Sequence, residues 1–251
     1  MAKEIEYSQM LRFSRHIMLP EIELEGQERL LNAHAVVVGL GGLGCAAAQY
    51  LAASGVGRLT LVDGDVVEAT NLQRQVLHTE ARLGQSKAHS AKVALAAINS
   101  DLEIKALETM ADEQLLADTA SNATVVLDCT DNLATRNLLN HFCYQEHIPL
   151  VCGAAIRFEG QLSVFTMEDG TPCYGCLSQL FKEPELSCSE SGVFSPLVGI
   201  IGAMQAGEAI KICTGAGKLK PGQLMTIDTL SMETHSFTLP KQPTCAVCGN
   251  G

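Results

Sequence analysis

The part of this chain richest in possible chemistry lies between Val36 and Gln75. Gly39-Leu40-Gly41-Gly42-Leu43-Gly44 follows a run of valines and precedes an Ala-rich segment from Cys45 to Ala53. A strand that turns through glycines into a helix is what a dinucleotide-type phosphate site requires. Gly39 and Gly41 let the backbone turn tightly and approach a phosphate. Gly44 takes away a side chain that would hold the helix off the strand, and the helix N-terminus offers unpaired N–H groups to the anion. A second apolar strand, Leu59 to Val62, ends at Asp63, where an acid hydrogen-bonds ribose hydroxyls.

That pattern most often serves NAD or FAD, so a dehydrogenase is the first reading. The next residues redirect it. Thr70-Asn71-Leu72-Gln73-Arg74-Gln75 sets amides and a guanidinium just past the second strand, and Lys87 opens a helix after Ser86. Arg74 and Lys87 converging on a nucleotide suit a triphosphate whose charge must be offset during transfer, which hydride chemistry does not need. The competing reading makes both of them solvated surface charges. Asp131 follows the apolar strand Val125 to Asp128 and so points toward the same crevice, because ligands of open α/β sheets sit at the carboxyl ends of strands. There a carboxylate could hold Mg2+ against the triphosphate. Asp131 could also N-cap the helix from Leu133 to Glu146, and the two roles are compatible.

Ten cysteines in a chain of this size, with a nucleotide motif, suit a reducing compartment rather than disulfides. Cys173-Tyr174-Gly175-Cys176 and Cys245-Ala246-Val247-Cys248 are two CxxC pairs, each able to present two thiolates from one tight turn. Together they predict a closed tetrahedral Zn2+ site of the structural kind, stapling the C-terminal tail to the middle of the chain. A redox-active pair is the alternative. Cys45, Cys129, Cys143, Cys152 and Cys213 fall in predicted helices or strands and read as core residues. Cys188 lies in the small polar segment Ser187 to Gly192, where a thiol is open either to chemistry or to no role at all.

These residues need a scaffold, and the composition allows one. The chain has 251 residues, 47% of them hydrophobic, enough for one large core, and a net charge of -11 with no basic run. Nucleic acid and anionic membranes are therefore poor partners. Met1 to Glu6 has no apolar core and reads as no secretory signal, and the expected location is cytoplasmic. The uncharged stretch from Ala35 to Gly57 reads as a buried strand-turn-helix unit rather than a membrane span. Helices are predicted at Tyr7 to Met18, Ser86 to Asn99, Asp112 to Asp118 and Pro196 to Cys213, with a strand near Ile104. Beyond Pro149 the pattern changes: Gly160 to Thr166 and Thr234 to Leu239 alternate with period two, as half-buried antiparallel strands do. The expected fold is α/β, a Rossmann-like and mostly parallel sheet extended by antiparallel strands, with a structural zinc site. It forms one domain over residues 1–251: an N-terminal helical segment (1–30), a nucleotide-binding half (31–150) and an antiparallel extension (151–251).

Taken in order, Met10 to Arg15, Gly39 to Gly44, Asn71 to Gln75, Leu127 to Asn132, Gly153 to Arg157, Cys173 to Cys176 and Cys245 to Cys248 resemble the MoeB/ThiF/HesA family, relatives of the ubiquitin-activating enzymes. The segment Ala155 to Gln161, with Cys-Leu-Ser after the first CxxC, looks most like the MoeB branch; the ThiF branch of thiamine synthesis is the near alternative. The resemblance implies adenylation by ATP of the C-terminal glycine carboxylate of a small ubiquitin-fold sulfur carrier ending in Gly-Gly, with release of pyrophosphate, in molybdenum cofactor synthesis. It implies that Gly42 and Asp63 bind the nucleotide, Asn71, Arg74 and Lys87 the phosphates, and Asp131 with Asn132 the metal-bound end. Arg15 would reach the triphosphate from the partner of a homodimer, and Cys188 matches a position where some members link covalently to the carrier. A non-catalytic scaffold is disfavoured, because Arg15, Asn71, Arg74, Lys87 and Asp131 are all present.

Overall fold

The structure, a computed structural model, describes residues 4–180 and 191–249. One eight-stranded sheet runs through them in the order β3-β2-β1-β4-β5-β6-β7-β8. The first five strands are parallel: β1 (His34–Val38), β2 (Arg58–Val62), β3 (Glu103–Leu107), β4 (Val125–Asp128) and β5 (Leu150–Ile156). From β5 onward each strand runs antiparallel to the one before, through β6 (Glu159–Phe165), β7 (Gln223–Asp228) and β8 (Glu233–Thr238). The chain moves outward from β1 to β3 and then returns to lay β4 on the other side of β1. That reversal opens a crevice at the carboxyl ends of β1 and β4.

β1 and β4 are buried at every position, which is why they read as unbroken apolar runs: helices cover the sheet on both faces. One side chain set, including Ala35, Val37, Leu59, Leu61, Leu127 and Val151, packs under the helices α3 (Glu23–Asn32), α4 (Gly42–Ser54) and α5 (Lys87–Ile98). The alternate set, including Val36, Val38, Val126, Leu150 and Cys152, packs against α6 (Glu113–Ala120), α7 (Leu133–Gln145) and the short α8 (Tyr174–Ser178). The residual N-terminal prediction needs correction. Instead of one helix from Tyr7 to Met18, α1 (Tyr7–Arg12) and α2 (Ser14–Ile17) are separated at Phe13, whose buried ring lies against Gly55.

The longest helix, α9 (Ser195–Thr214), has Pro196 in its first turn, and Gly215 ends it at φ 73. By length and composition it would pass for a membrane span, but half of it is buried inside the protein. It lies on α4 and on the sheet at β5 and β6. The contact with α4 is made by backbone: a Cβ on Gly202 would sit 2.3 Å from the Leu43 carbonyl oxygen and 2.9 Å from the Ala46 Cβ. Gly42 is the reciprocal case, its missing Cβ lying 2.5 Å from Val198 Cγ2. Because both approaches involve rigid atoms, Gly202→Ala should force the helices apart and lower unfolding stability by roughly 1–3 kcal/mol in urea titration. An unchanged midpoint would show that α4 and α9 are free to slide.

Candidate active site

A cleft of about 590 Å³ opens at the carboxyl ends of β1, β2 and β4. Its floor is the turn from β1 into α4, and each glycine there has its own reason. Gly39 stands at φ 88, and a Cβ on it would lie 2.8 Å from the Cys129 carbonyl oxygen. Gly44 allows the closest approach: its missing Cβ would lie 1.9 Å from the oxygen of Gly39. Gly41 has open space toward the cleft, with Gln75 Nε2 at 3.8 Å from where its Cβ would be. α4 begins at Gly42 rather than at Cys45, so Gly42 and Gly44 belong to its first turn. Gly39, Gly41 and Gly42 line the cleft; Gly44 works beneath it.

Asp63, at the end of β2, closes on this turn. Its Oδ2 accepts the Leu40 N–H at 2.7 Å and its Oδ1 the Asp65 N–H at 2.8 Å. Burial pushes the carboxyl above the usual carboxylate range, against the pull of those two N–H groups and of Lys87. Each oxygen keeps a lone pair, so a hydroxyl donor arriving in the cleft meets a carboxylate that gains from the extra bond.

Across from it lie the cations. Lys87 is buried at the start of α5, and its Nζ pairs with Asp65 Oδ2 at 2.9 Å. Arg74 donates to the Thr70 carbonyl at 3.2 Å, and among the described residues it pairs with no carboxylate. Asn71 is buried, with its Oδ1 held by the Glu68 N–H at 3.1 Å in the 3-10 turn that shapes this loop. Asn71, Arg74, Lys87, Asp131 and Asn132 all line the cleft. Thr70, Leu72 and Gln73, expected at the nucleotide as well, do not: Thr70 and Gln73 offer carbonyls to Arg74 and to the Ser195 hydroxyl. Arg15 is exposed and lies outside its own chain's cleft. Cys188 falls outside the described residues.

The cap of α7 is not Asp131, as expected, but Asn132, whose Oδ1 accepts the Thr135 N–H at 2.9 Å. Asp131 is left exposed at the cleft, and among the described residues nothing bonds to its carboxylate. The loop that carries it is fixed from below. Asp128 is fully buried; its Oδ1 accepts the Thr130 N–H at 3.0 Å and the Thr130 hydroxyl at 2.7 Å. Arg136 reaches from α7 to within 3.6 Å of Asp128 and donates to the carbonyls of Thr130 at 2.6 Å and Gly153 at 2.8 Å. From the opposite face Gln205 donates to the carbonyls of Asp128 at 2.8 Å and Val151 at 3.2 Å. Sequence reasoning passed over Arg136 and Gln205. The available signal was one amide in an otherwise apolar stretch of α9. It also passed over Thr109, Met110 and Ala111, which wall the cleft after β3 and which the strand-end rule would have named.

The second site lies on the far face of the sheet. Cys173, Cys176, Cys245 and Cys248 are buried, and their sulfurs all fall within 4.8 Å of one another. Two pairs stand at 3.7 Å (Cys173 with Cys245) and 3.3 Å (Cys176 with Cys248), near the roughly 3.8 Å that tetrahedral Zn–S bonds require. The Gln242 N–H and the Asn140 amide donate to sulfurs of Cys176 and Cys173 at 3.3 and 3.5 Å, as donors around thiolates do. Burial raises the Cys245 thiol, but the backbone N–H groups of Cys248 and Val247 outweigh it and bring the group down to about 7. Such a set fits Zn2+ with no ligand position left open. The other five cysteines foreseen as core residues are all buried, and burial pushes the thiols of Cys45 and Cys213 up to about 12.

Comparison with known proteins gives the same picture. The molybdopterin-synthase adenylyltransferase of Escherichia coli K12 is 49% identical over 246 residues, covering 98% of this chain and 99% of its own. That of Haemophilus influenzae is 50% identical over 237 residues, with 94% and 98% covered. The mouse adenylyltransferase and sulfurtransferase MOCS3 is 46% identical over 96% of this chain, which spans 53% of its length. Among solved structures, E. coli MccB with ATP superposes with a TM-score of 0.76 at 26% identity, over 89% of this chain and 68% of that one. MccB with MccA-N7isoASN reaches 0.83 at 24% identity, over 95% and 75%, a likeness of fold. The sequence pattern of the ThiF family runs through residues 13–247, and with relatives half-identical from end to end, this chain belongs to the ThiF family.

Proposed function

We propose that this chain is an adenylyltransferase that activates the C-terminal glycine carboxylate of a small ubiquitin-fold sulfur carrier ending in Gly-Gly, in molybdenum cofactor synthesis. The observation that carries this reading is the grouping of Arg74, Lys87 and Asp131, whose carboxylate nothing among the described residues bonds, around the glycine turn in one cleft. The likeness to the bacterial adenylyltransferases supports it and favours the molybdopterin carrier over the thiamine one.

In this reading a carrier carboxylate oxygen attacks the α-phosphorus of ATP; the new P–O bond forms as the bond to the β-phosphate oxygen breaks, and pyrophosphate departs with the electron pair. Both partners are anionic, so the protein's work is to hold them in line and to offset charge. Asp63 orients the ribose, the turn at Gly39 to Gly42 supports the phosphates, and Arg74 and Lys87 take up negative charge that moves toward pyrophosphate. Mg2+, when bound, would neutralise phosphate oxygens, with Asp131 as its protein ligand and Asn132 beside it. Residues 1–251 act as one adenylation domain of a cytoplasmic homodimer, in which the exposed Arg15 serves the partner's cleft. Zn2+ on the four cysteines is structural, and Cys188 is held open as a nucleophile toward the activated carrier.

The primary test is ATP–pyrophosphate exchange with Mg2+ and either carrier. Exchange dependent on the molybdopterin carrier supports the reading; dependence on the thiamine carrier moves the chain to the other branch, and no exchange with either removes it. Arg74→Ala, Lys87→Ala and Asp131→Ala should each reduce exchange by at least about a hundredfold with an unaltered circular dichroism spectrum. A folded Asp131→Ala protein with normal exchange would take that residue out of the mechanism. If Arg15 acts across a dimer, mixing inactive Arg15→Ala and Lys87→Ala proteins after subunit exchange should restore about a quarter of wild-type activity, because one hybrid site in each mixed dimer is intact. No recovery would place Arg15 elsewhere. Metal analysis should return one zinc per chain, lost in Cys245→Ser together with protease resistance of the tail after Leu239; a zinc-free native protein would mean the thiols serve another purpose.

A further inference from the structure

Beneath the cleft, and outside its lining, the buried imidazole of His78 joins three chain segments. Its Nε2 lies 3.0 Å from the carbonyl oxygen of Leu40, and its Nδ1 lies 2.9 Å from Ser90 Oγ. A carbonyl only accepts, so Nε2 carries the proton, and Nδ1 accepts from the Ser90 hydroxyl. Burial lowers the imidazole below its ordinary range, which agrees with a neutral ring. Cys45 adds a second donor to the same carbonyl at 3.3 Å, while on its other side the Leu40 N–H is held by Asp63 at 2.7 Å.

The peptide groups of Leu40, in the middle of the glycine turn, are therefore gripped at both nitrogen and oxygen. The three segments joined here are the ones that carry the cleft's phosphate-facing groups. Leu40 belongs to the turn of Gly39, Gly41 and Gly42. His78 is three residues past Gln75, whose carbonyl accepts the His78 N–H at 3.0 Å, so it ends the loop of Asn71 and Arg74. Ser90 lies on α5, three residues on from Lys87 and thus on the same helix face. Arg82 ties the last two again, donating to the carbonyls of Leu77 at 3.1 Å and Ser90 at 3.0 Å.

We propose that His78 is a positioning residue for the nucleotide: its Nε2–H on the Leu40 carbonyl sets the glycine turn against Arg74 and Lys87, so that all three meet the phosphates in one geometry. The inference rests on the reading of the cleft as an ATP site. It separates by atom: a glutamine at 78 places its amide nitrogen near the position of Nε2, and an asparagine places its own near Nδ1.

The test is calorimetric titration of ATP with Mg2+ into wild type, His78→Gln, His78→Asn and His78→Ala, alongside thermal midpoints and the KM and kcat of exchange. Asn and Ala should weaken ATP binding roughly tenfold, with KM rising to match, while Gln stays within about twofold of wild type even though its midpoint falls as far as that of Asn. Equal loss of stability in all three with ATP affinity unchanged, or Gln and Asn weakened alike, would overturn the proposal and leave His78 a core residue. If the His78 variants do not fold, Ser90→Ala, which removes the partner that fixes the tautomer, should weaken ATP about threefold, and unaltered affinity would count against the proposal. Failure of the wild type to bind ATP would instead overturn the site reading. Binding lost in Arg74→Ala but kept in His78→Asn would overturn this inference alone.

Discussion

The carbonyl oxygen of Gly39 occupies the space a side chain on Gly44 would need, within 1.9 Å of where its Cβ would stand. That single contact fixes where α4 leaves β1, and most of the active end of the molecule depends on it. With the helix pressed onto the turn, its first N–H groups face the crevice between β1 and β4, where the strand order reverses. The turn cannot drift, because Asp63 holds the Leu40 N–H and the end of β4 blocks Gly39 from the other side. α9 then lies on α4 at backbone distance, so a change at Gly202 would be felt at the turn itself.

The second half of the chain has a different job. β6 to β8 extend the sheet away from the nucleotide crevice, and the four cysteines come together where the tail after β8 packs at α8. Every residue of β8 is exposed, and as the last strand of the sheet it leaves one backbone edge unpaired among the described residues. Its own packing offers little, so a Zn2+ bound by the four buried cysteines would constrain the tail that follows it. The fully buried Asp128 shows the opposite arrangement: taking its carboxyl out of water is offset, among the described residues, only by the Arg136 guanidinium 3.6 Å away and by the two Thr130 donors on Oδ1, and this anchored group holds the start of the loop that carries Asp131.

How far these features can be read in the sequence depends on the range of the physics behind them. The glycine turn, the buried strands and the antiparallel extension after Pro149 follow from local periodicity and steric demand, and they were legible; the half-buried alternation expected there is not found, because β6 is buried without a break from Leu162 to Phe165 and β8 is exposed at every position. The CxxC pairs were legible because two thiolates from one turn have few uses. What escaped are side chains whose meaning comes from distant partners: Gln205 bonds strands β4 and β5 from a helix far along the chain, and His78 reads as an ordinary histidine until Leu40 and Ser90 surround it. That Asn132 caps α7 in place of the expected Asp131 was also beyond the sequence, since adjacent residues of equal capping ability differ only in backbone direction. The break at Phe13 has the same origin, as its ring is drawn in against Gly55, a contact that no helix propensity anticipates.

The claim at the centre of this account is that the crevice directs attack on the α-phosphorus of ATP. Intact-mass spectrometry of the molybdopterin carrier after incubation with the protein, ATP and Mg2+ tests it directly. The account predicts a carrier heavier by one adenylate at its C-terminal glycine, formed with release of pyrophosphate. A carrier bearing phosphate with release of ADP, or one that remains unmodified while ATP is bound, would contradict it.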